Sequence, residues 1–235
     1  MAPAQQLHFR RPTPTRGVIL LVALCLIGWL AVVIFEPLRL IYQTDLILSQ
    51  SSISNLRLWT ILSHAFFPYD FLDLFLSALM LYLFGSEVAQ EKGDARWLGY
   101  MLGATLIGGL LAAPIALTLG GAGHGPDAAV SACIAMYCWQ IWDRTVHFFT
   151  IELKGKTMFF AFLLIDFLFA LITLNPTLLL IKAGGALAGL LFATDTWRPT
   201  KLRRYYHYWR VKRNLKVVAR TPEDKRRTRD GEWLN

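Results

Sequence analysis

The chain has 235 residues, of which 55% are hydrophobic and 17% charged, and its formal net charge is +8 at pH 7. Apolar runs of about 18 residues or more recur along it, which excludes a water-soluble domain and defines an all-α polytopic membrane protein. The excess positive charge sits almost entirely after Trp197, so it describes a tail and not the body of the protein.

In chain order, residues 1–16 form an N-terminal segment with Arg10, Arg11 and Arg16 ahead of the first apolar run. Six spans are predicted, at 18–35, 59–86, 97–119, 127–142, 158–174 and 177–194, within a membrane domain of residues 17–196. The first run is read as a retained helix, because no small-residue cleavage site follows Phe35. The loop at 36–58 is too long and too apolar for a bare connector, and is read as a small subdomain on the outer leaflet. The fourth span is short, which places it at the bundle centre. Lys and Arg collect before the first span, after the fourth and after the sixth, so both termini are predicted cytoplasmic. The integral membrane protein this describes is assigned to a bacterial inner membrane.

Residues 197–235 hold thirteen Lys/Arg against four Asp/Glu, interleaved with Trp197, Tyr205, Tyr206, Tyr208 and Trp209. Topology signalling and an interfacial aromatic belt account for most of this pattern. Such a segment also grips anionic lipid headgroups, at about 1 kcal/mol per charge. Nucleic acid is not expected as a partner, since no recognition module accompanies the charge. The polar end, TPEDKRRTRDGEWLN, has the composition of disorder. Cys25, Cys133 and Cys138 fall inside predicted spans without metal or disulfide spacing, and the five histidines are scattered. No cofactor and no metal site is expected.

Charge inside the spans is the most informative feature. Asp127 opens the fourth and Lys182 interrupts the sixth, and an ionisable group at mid-bilayer costs roughly 2.5 to 3.5 kcal/mol on insertion scales, so such groups face the bundle interior and find partners. Asp166, in the fifth span, is assigned a structural role. Gly185 and Gly189 form a GxxxG pair and, with Gly125, are the expected helix-packing glycines. Lys182 precedes Gly185 by three residues and shares its helical face, so it points into the contact and not into lipid.

These residues resemble the rhomboid intramembrane serine proteases. LWTILSHAFFPYDFLDLFLSALMLYLFGSEVAQEKG is similar to the family's segment from the first external loop through the second helix. GPDAAVSA is similar to its GxSGA element, KAGGALAG to its AHxxGxxxG element, and DRTVHFFTIELKGKTM to the connection between the fourth and fifth helices in bacterial members. The resemblance implies a six-helix bundle. In the family a fourth-helix serine is the nucleophile, a sixth-helix histidine is its base, and a second-helix His and Asn help hold the oxyanion. Matched motif to motif, those positions carry Asp127, Lys182, Asp73 and Ser77. Ala128 replaces the glycine after the serine, and Thr60 replaces the arginine of a loop Trp-Arg pair.

The chemistry points the same way. Lys182 facing Asp127 and Asp73 is held as the ammonium, and a protonated lysine is a poor general base. Asp127 and Lys182 are therefore expected to form a buried ion pair where the family has its Ser–His hydrogen bond. The resemblance then implies a pseudoprotease that binds transmembrane client proteins. Two alternatives stay open: an active protease using Ser77 or Ser131 as nucleophile, and a proton or ion relay through Asp73, Asp127 and Lys182.

Overall fold

A computed structural model describes residues 13–148 and 151–195, and the predicted tail at 197–235 lies outside the described residues. The first helix, α1 (Arg16–Ile34), starts where the Thr15 hydroxyl accepts the Val18 amide. It leads into a short α2 (Glu36–Ile41), a wide turn at Tyr42–Leu46, strand β1 (Leu48–Ser49) and α3 (Gln50–Ser54). This external segment is folded against the bundle, and β1 pairs antiparallel with β2 (Ala122–Gly123), joining Leu48 to Gly123 immediately ahead of the fourth span.

The second span does not begin at residue 59. Residues Thr60–Ser63 form a single turn, α4, followed by a 3₁₀ turn at His64–Phe66, and the long helix starts at Phe71. Pro68 explains the break. A residue before proline is driven out of the α region, and Phe67 has φ −123° and ψ 82°. Asp70 then restarts the chain as an N-cap, its carboxylate accepting the Asp73 amide at 2.7 Å. The helix runs as α5 (Phe71–Met80), a wide turn at Leu81–Gly85 and α6 (Ser86–Lys92).

Helix α7 (Asp94–Leu119) follows, then α8 (Asp127–Gln140), a hairpin of β3 (Thr145–Phe148) and β4 (Ile151–Lys154), α9 (Gly155–Thr173) and α10 (Pro176–Thr194). The sequence was read without strands, so both strand pairs are additions to the predicted all-α pattern. Between α9 and α10, Leu174 takes a left-handed conformation. Asn175 then caps α10 by accepting the Leu178 amide at 3.2 Å, while its amide nitrogen donates to the Ala122 carbonyl at 2.8 Å.

Among the described residues, five helical rods, Arg16–Ile34, Phe71–Lys92, Asp94–Leu119, Gly155–Thr173 and Pro176–Thr194, are long and apolar enough to cross a membrane. Large apolar side chains such as Ile27, Val33, Leu110, Phe167 and Ile172 are exposed on them, as a lipid-facing surface requires. The 14-residue α8 is different. Its residues from Asp127 to Ala129 and from Ser131 to Cys138 are all buried, which its small Ala, Ser and Cys side chains permit. Trp97, Phe84 and Met101 form a core cluster with its own Cys133 and Met136. The protein is an integral membrane helix bundle with α8 at its centre.

Candidate functional site

The first residue of α8 is Asp127, and α10 brings Lys182 to it across a contact made by small residues. A side-chain carbon on Gly185 would strike the Ala128 backbone, and one on Gly189 would lie 2.5 Å from the Ala132 carbonyl oxygen. Two helix backbones touch there, and the spacing of Gly185 and Gly189 keeps them in register. Lys182, on the same face, puts Nζ 3.3 Å from Asp127 Oδ1.

Lys182 has a second anion. Its ammonium donates to Asp166 Oδ1 of α9 at 3.0 Å and lies 5.4 Å from the centre of the Phe169 ring. The arrangement is a triad of two carboxylates about one ammonium, with side chains 10% (Asp127), 17% (Lys182) and 22% (Asp166) exposed. With all three ionised it carries one surplus negative charge. Asp166 was legible as an acid within FFAFLLIDFLFAL, but its partner was not, because sequence does not fix the rotation of α9 against α10.

Asp73 is placed differently from the expectation that it would face Lys182. Its Oδ2 accepts the Tyr69 amide at 3.1 Å and sits 3.4 Å from His124 Nδ1, whose ring lies 5.1 Å from that of Tyr69. The reason is its position in the first turn of α5, where the N-cap geometry aims the carboxylate back towards the loop. Burial pulls the His124 pKa down, but the adjacent Asp73 carboxylate and the charges of Asp127 and Asp70 outweigh burial and leave it raised. His124, three residues ahead of Asp127, thus holds Asp73 near the head of α8.

Gly125 is not a helix-packing glycine. It lies in the loop before α8 at φ +70°, where an added side-chain carbon would come within 2.9 Å of Asp73 Oδ2, and its amide donates to the Phe67 carbonyl at 3.1 Å. Its role is to turn the chain into α8 beneath the Asp73 carboxylate.

The serines occupy two separate clefts. Ser131, one turn beyond Asp127, lines a narrow, partly open crevice together with Phe159, Phe162, Leu163, Asp166 and Ala186. Ser77 lines a shallow, closely packed crevice with Val22, Cys25, Leu74 and Pro126. Among the described residues neither hydroxyl is hydrogen-bonded to a base, and the ammonium of Lys182 is engaged by Asp127 and Asp166.

At the position of the family's Trp-Arg pair, Trp59 Nε1 donates to the Asp45 carbonyl at 2.8 Å, and the Thr60 hydroxyl donates to the Arg57 carbonyl at 2.7 Å. Arg57, two residues before Trp59, pairs with the Asp45 carboxylate and donates to the Thr44 carbonyl at 3.0 Å, so the loop keeps a cation from a neighbouring position. All three cysteines are buried free thiols, and among the described residues no group of three or more His, Cys, Asp or Glu is placed to hold a metal ion.

The bundle has a short central helix that begins at a buried ionisable cluster and packs on a GxxxG face of the last helix. The Rhomboid domain family model matches residues 55–199, more than half of the chain, and the protein belongs to the rhomboid family. Comparison with the curated proteins gave no match.

Proposed function

We propose that this chain is a noncatalytic rhomboid-like protein, a pseudoprotease of a bacterial inner membrane that binds transmembrane client proteins. The observation that carries this reading is the Asp127–Lys182–Asp166 triad, which stands at the head of α8 where the family's chemistry would require a hydroxyl beside a neutral base. Asp127 cannot form an acyl-enzyme of the serine type, and an ammonium that donates to one carboxylate and faces another cannot take a proton from Ser131.

Client binding is supported by what surrounds the triad. The cleft beside Asp166 places polar groups next to aromatic side chains at membrane depth. Exposed polar groups in hydrocarbon gain from any partner, so a helix with a polar or unwound stretch is a suitable occupant. Short α8 also makes local thinning of the bilayer reasonable. The basic tail supplies contact with anionic lipid.

The test is a photoreactive amino acid introduced at Leu163, which lines the cleft, in the full chain in its native membrane. Intact membrane proteins crosslinked by illumination, and not crosslinked from a lipid-facing position such as Ile27, support the reading. Shortened fragments of membrane proteins accumulating in cells that contain the chain, and absent from cells that lack it, would point to proteolysis instead.

A further inference from the structure

We infer that the cleft beside Asp166 selects client helices carrying a basic side chain, a Lys or Arg placed about two turns inside the end of the client's span on the side where Asp73 and His124 lie. The inference rests on the client-binding reading above and names the chemistry of the partner.

Charge balance comes first. Asp127 and Asp166 share the Lys182 ammonium at 3.3 Å and 3.0 Å, which leaves one carboxylate equivalent uncompensated in a low-dielectric setting. Asp73 has a neighbour of its own, His124 at 3.4 Å, which offsets it when the imidazole is protonated. Asp127 is buried at the head of α8, whereas Asp166 is the most exposed member of the triad and lines the cleft. The surplus charge therefore faces the cleft.

A second, independent feature is Ser131. Its side chain is 6% exposed, it lines the same cleft, and among the described residues its hydroxyl has no hydrogen-bond partner. A hydroxyl without a partner at membrane depth gains from any polar group that enters beside it. An incoming ammonium or guanidinium satisfies both groups, donating to Asp166 and to the Ser131 oxygen. The Phe159 and Phe162 side chains lining the cleft suit the apolar stem of such a residue.

Depth follows from helix geometry. Lys182 lies six residues inside the Pro176 end of α10 and Asp166 seven residues inside the Thr173 end of α9. At 1.5 Å per residue both are roughly 10 Å below those helix ends. A basic residue at that depth is costly in lipid and gains correspondingly from a carboxylate at the same level.

The experiment uses the full chain in lipid nanodiscs and a labelled Leu/Ala helix of about 20 residues, long enough to span. Its versions carry Lys two turns from the Asp73-side end, Leu or Glu at that position, or Lys two turns from the opposite end. The first Lys peptide is expected to associate about tenfold more tightly than the Leu peptide, since intramembrane polar contacts contribute about 1 to 2 kcal/mol in model helices. Glu at the same position and Lys at the opposite end are expected to bind no better than Leu. Asp166→Asn, which leaves Asp127 and Lys182 as a balanced pair, should abolish the preference, and Ser131→Ala should reduce it. Equal binding of the Lys and Leu peptides by the parent, or a preference unchanged in Asp166→Asn, overturns the inference and leaves client binding standing. No association of any peptide overturns both.

Discussion

Replacing Lys182 with Met removes the ammonium that two carboxylates share. Asp127, 10% exposed, would lose a partner at 3.3 Å, and Asp166 one at 3.0 Å. At an effective dielectric of about 20 each attraction is roughly 5 kcal/mol, and breaking a buried pair by removing one partner typically costs about 3 to 5 kcal/mol. The stranded carboxylate has an escape, which is to take up a proton. From an ordinary carboxylate pKa this costs about 4 kcal/mol at pH 7 and about 1.5 kcal/mol at pH 5, so the loss is capped and shrinks with acidity. Lys182→Met is therefore expected to destabilise the protein by about 3 to 4 kcal/mol at pH 7 and by less than half of that at pH 5. Asp166→Asn, which leaves a neutral pair, should cost about 1 kcal/mol or less. The swap Asp127→Lys with Lys182→Asp should recover only part of what either single change loses, because it turns the carboxylate at 182 towards Asp166. Unfolding curves in detergent and in bilayers at both pH values decide the matter. A Lys182→Met protein as stable as the parent at pH 7 would refute the pairing.

Gly185→Leu should separate α8 from α10, because a side chain there meets the Ala128 backbone, and a loss of at least about 1 to 3 kcal/mol is expected in the same unfolding assay. Gly125→Ala should cost about 1 to 2 kcal/mol from its left-handed backbone alone, with further strain from Asp73, while the helical content seen by circular dichroism stays unchanged. His64 is fully buried in the external segment, and burial holds its pKa down at about 4 against an ordinary 6.5. A depressed histidine binds its proton in the unfolded chain first, so its contribution is intact above pH 6.5 and is lost as pH falls towards 4, by roughly 3 kcal/mol in all. A pH series of unfolding midpoints should show this slope, and His64→Gln should flatten it.

Much of the architecture was legible because bilayers impose simple rules on sequence. Apolar runs gave the long helices, and the small-residue face of α10 was visible in Gly185 and Gly189. The start of the second rod was misplaced because Trp59 to Phe67 is apolar enough to extend a span, and only the backbone restriction imposed by Pro68 separates it. Strand β1 was hidden for a related reason: a two-residue pairing between Leu48 and Gly123 depends on tertiary contact and leaves no periodicity. At the site, residue types were readable and partnerships were not. Lys182 was recognisable as a cation needing an anion, yet its hydrogen bond goes to Asp166, and Asp73 turns to Tyr69 and His124. Both outcomes depend on helix rotation and on the direction of one N-cap turn, which a linear pattern does not record.

The central claim is that this rhomboid-family scaffold does no proteolysis. Its most direct test is cleavage of a panel of transmembrane substrates by the purified full chain in liposomes, beside an active rhomboid and beside the variant Asp127→Ser, Ala128→Gly, Lys182→His. The account predicts no cleavage by the parent, with any product confined to the active enzyme and the variant. Cleavage by the parent that disappears in Ser131→Ala or Ser77→Ala would contradict it and would identify a nucleophile at a different position.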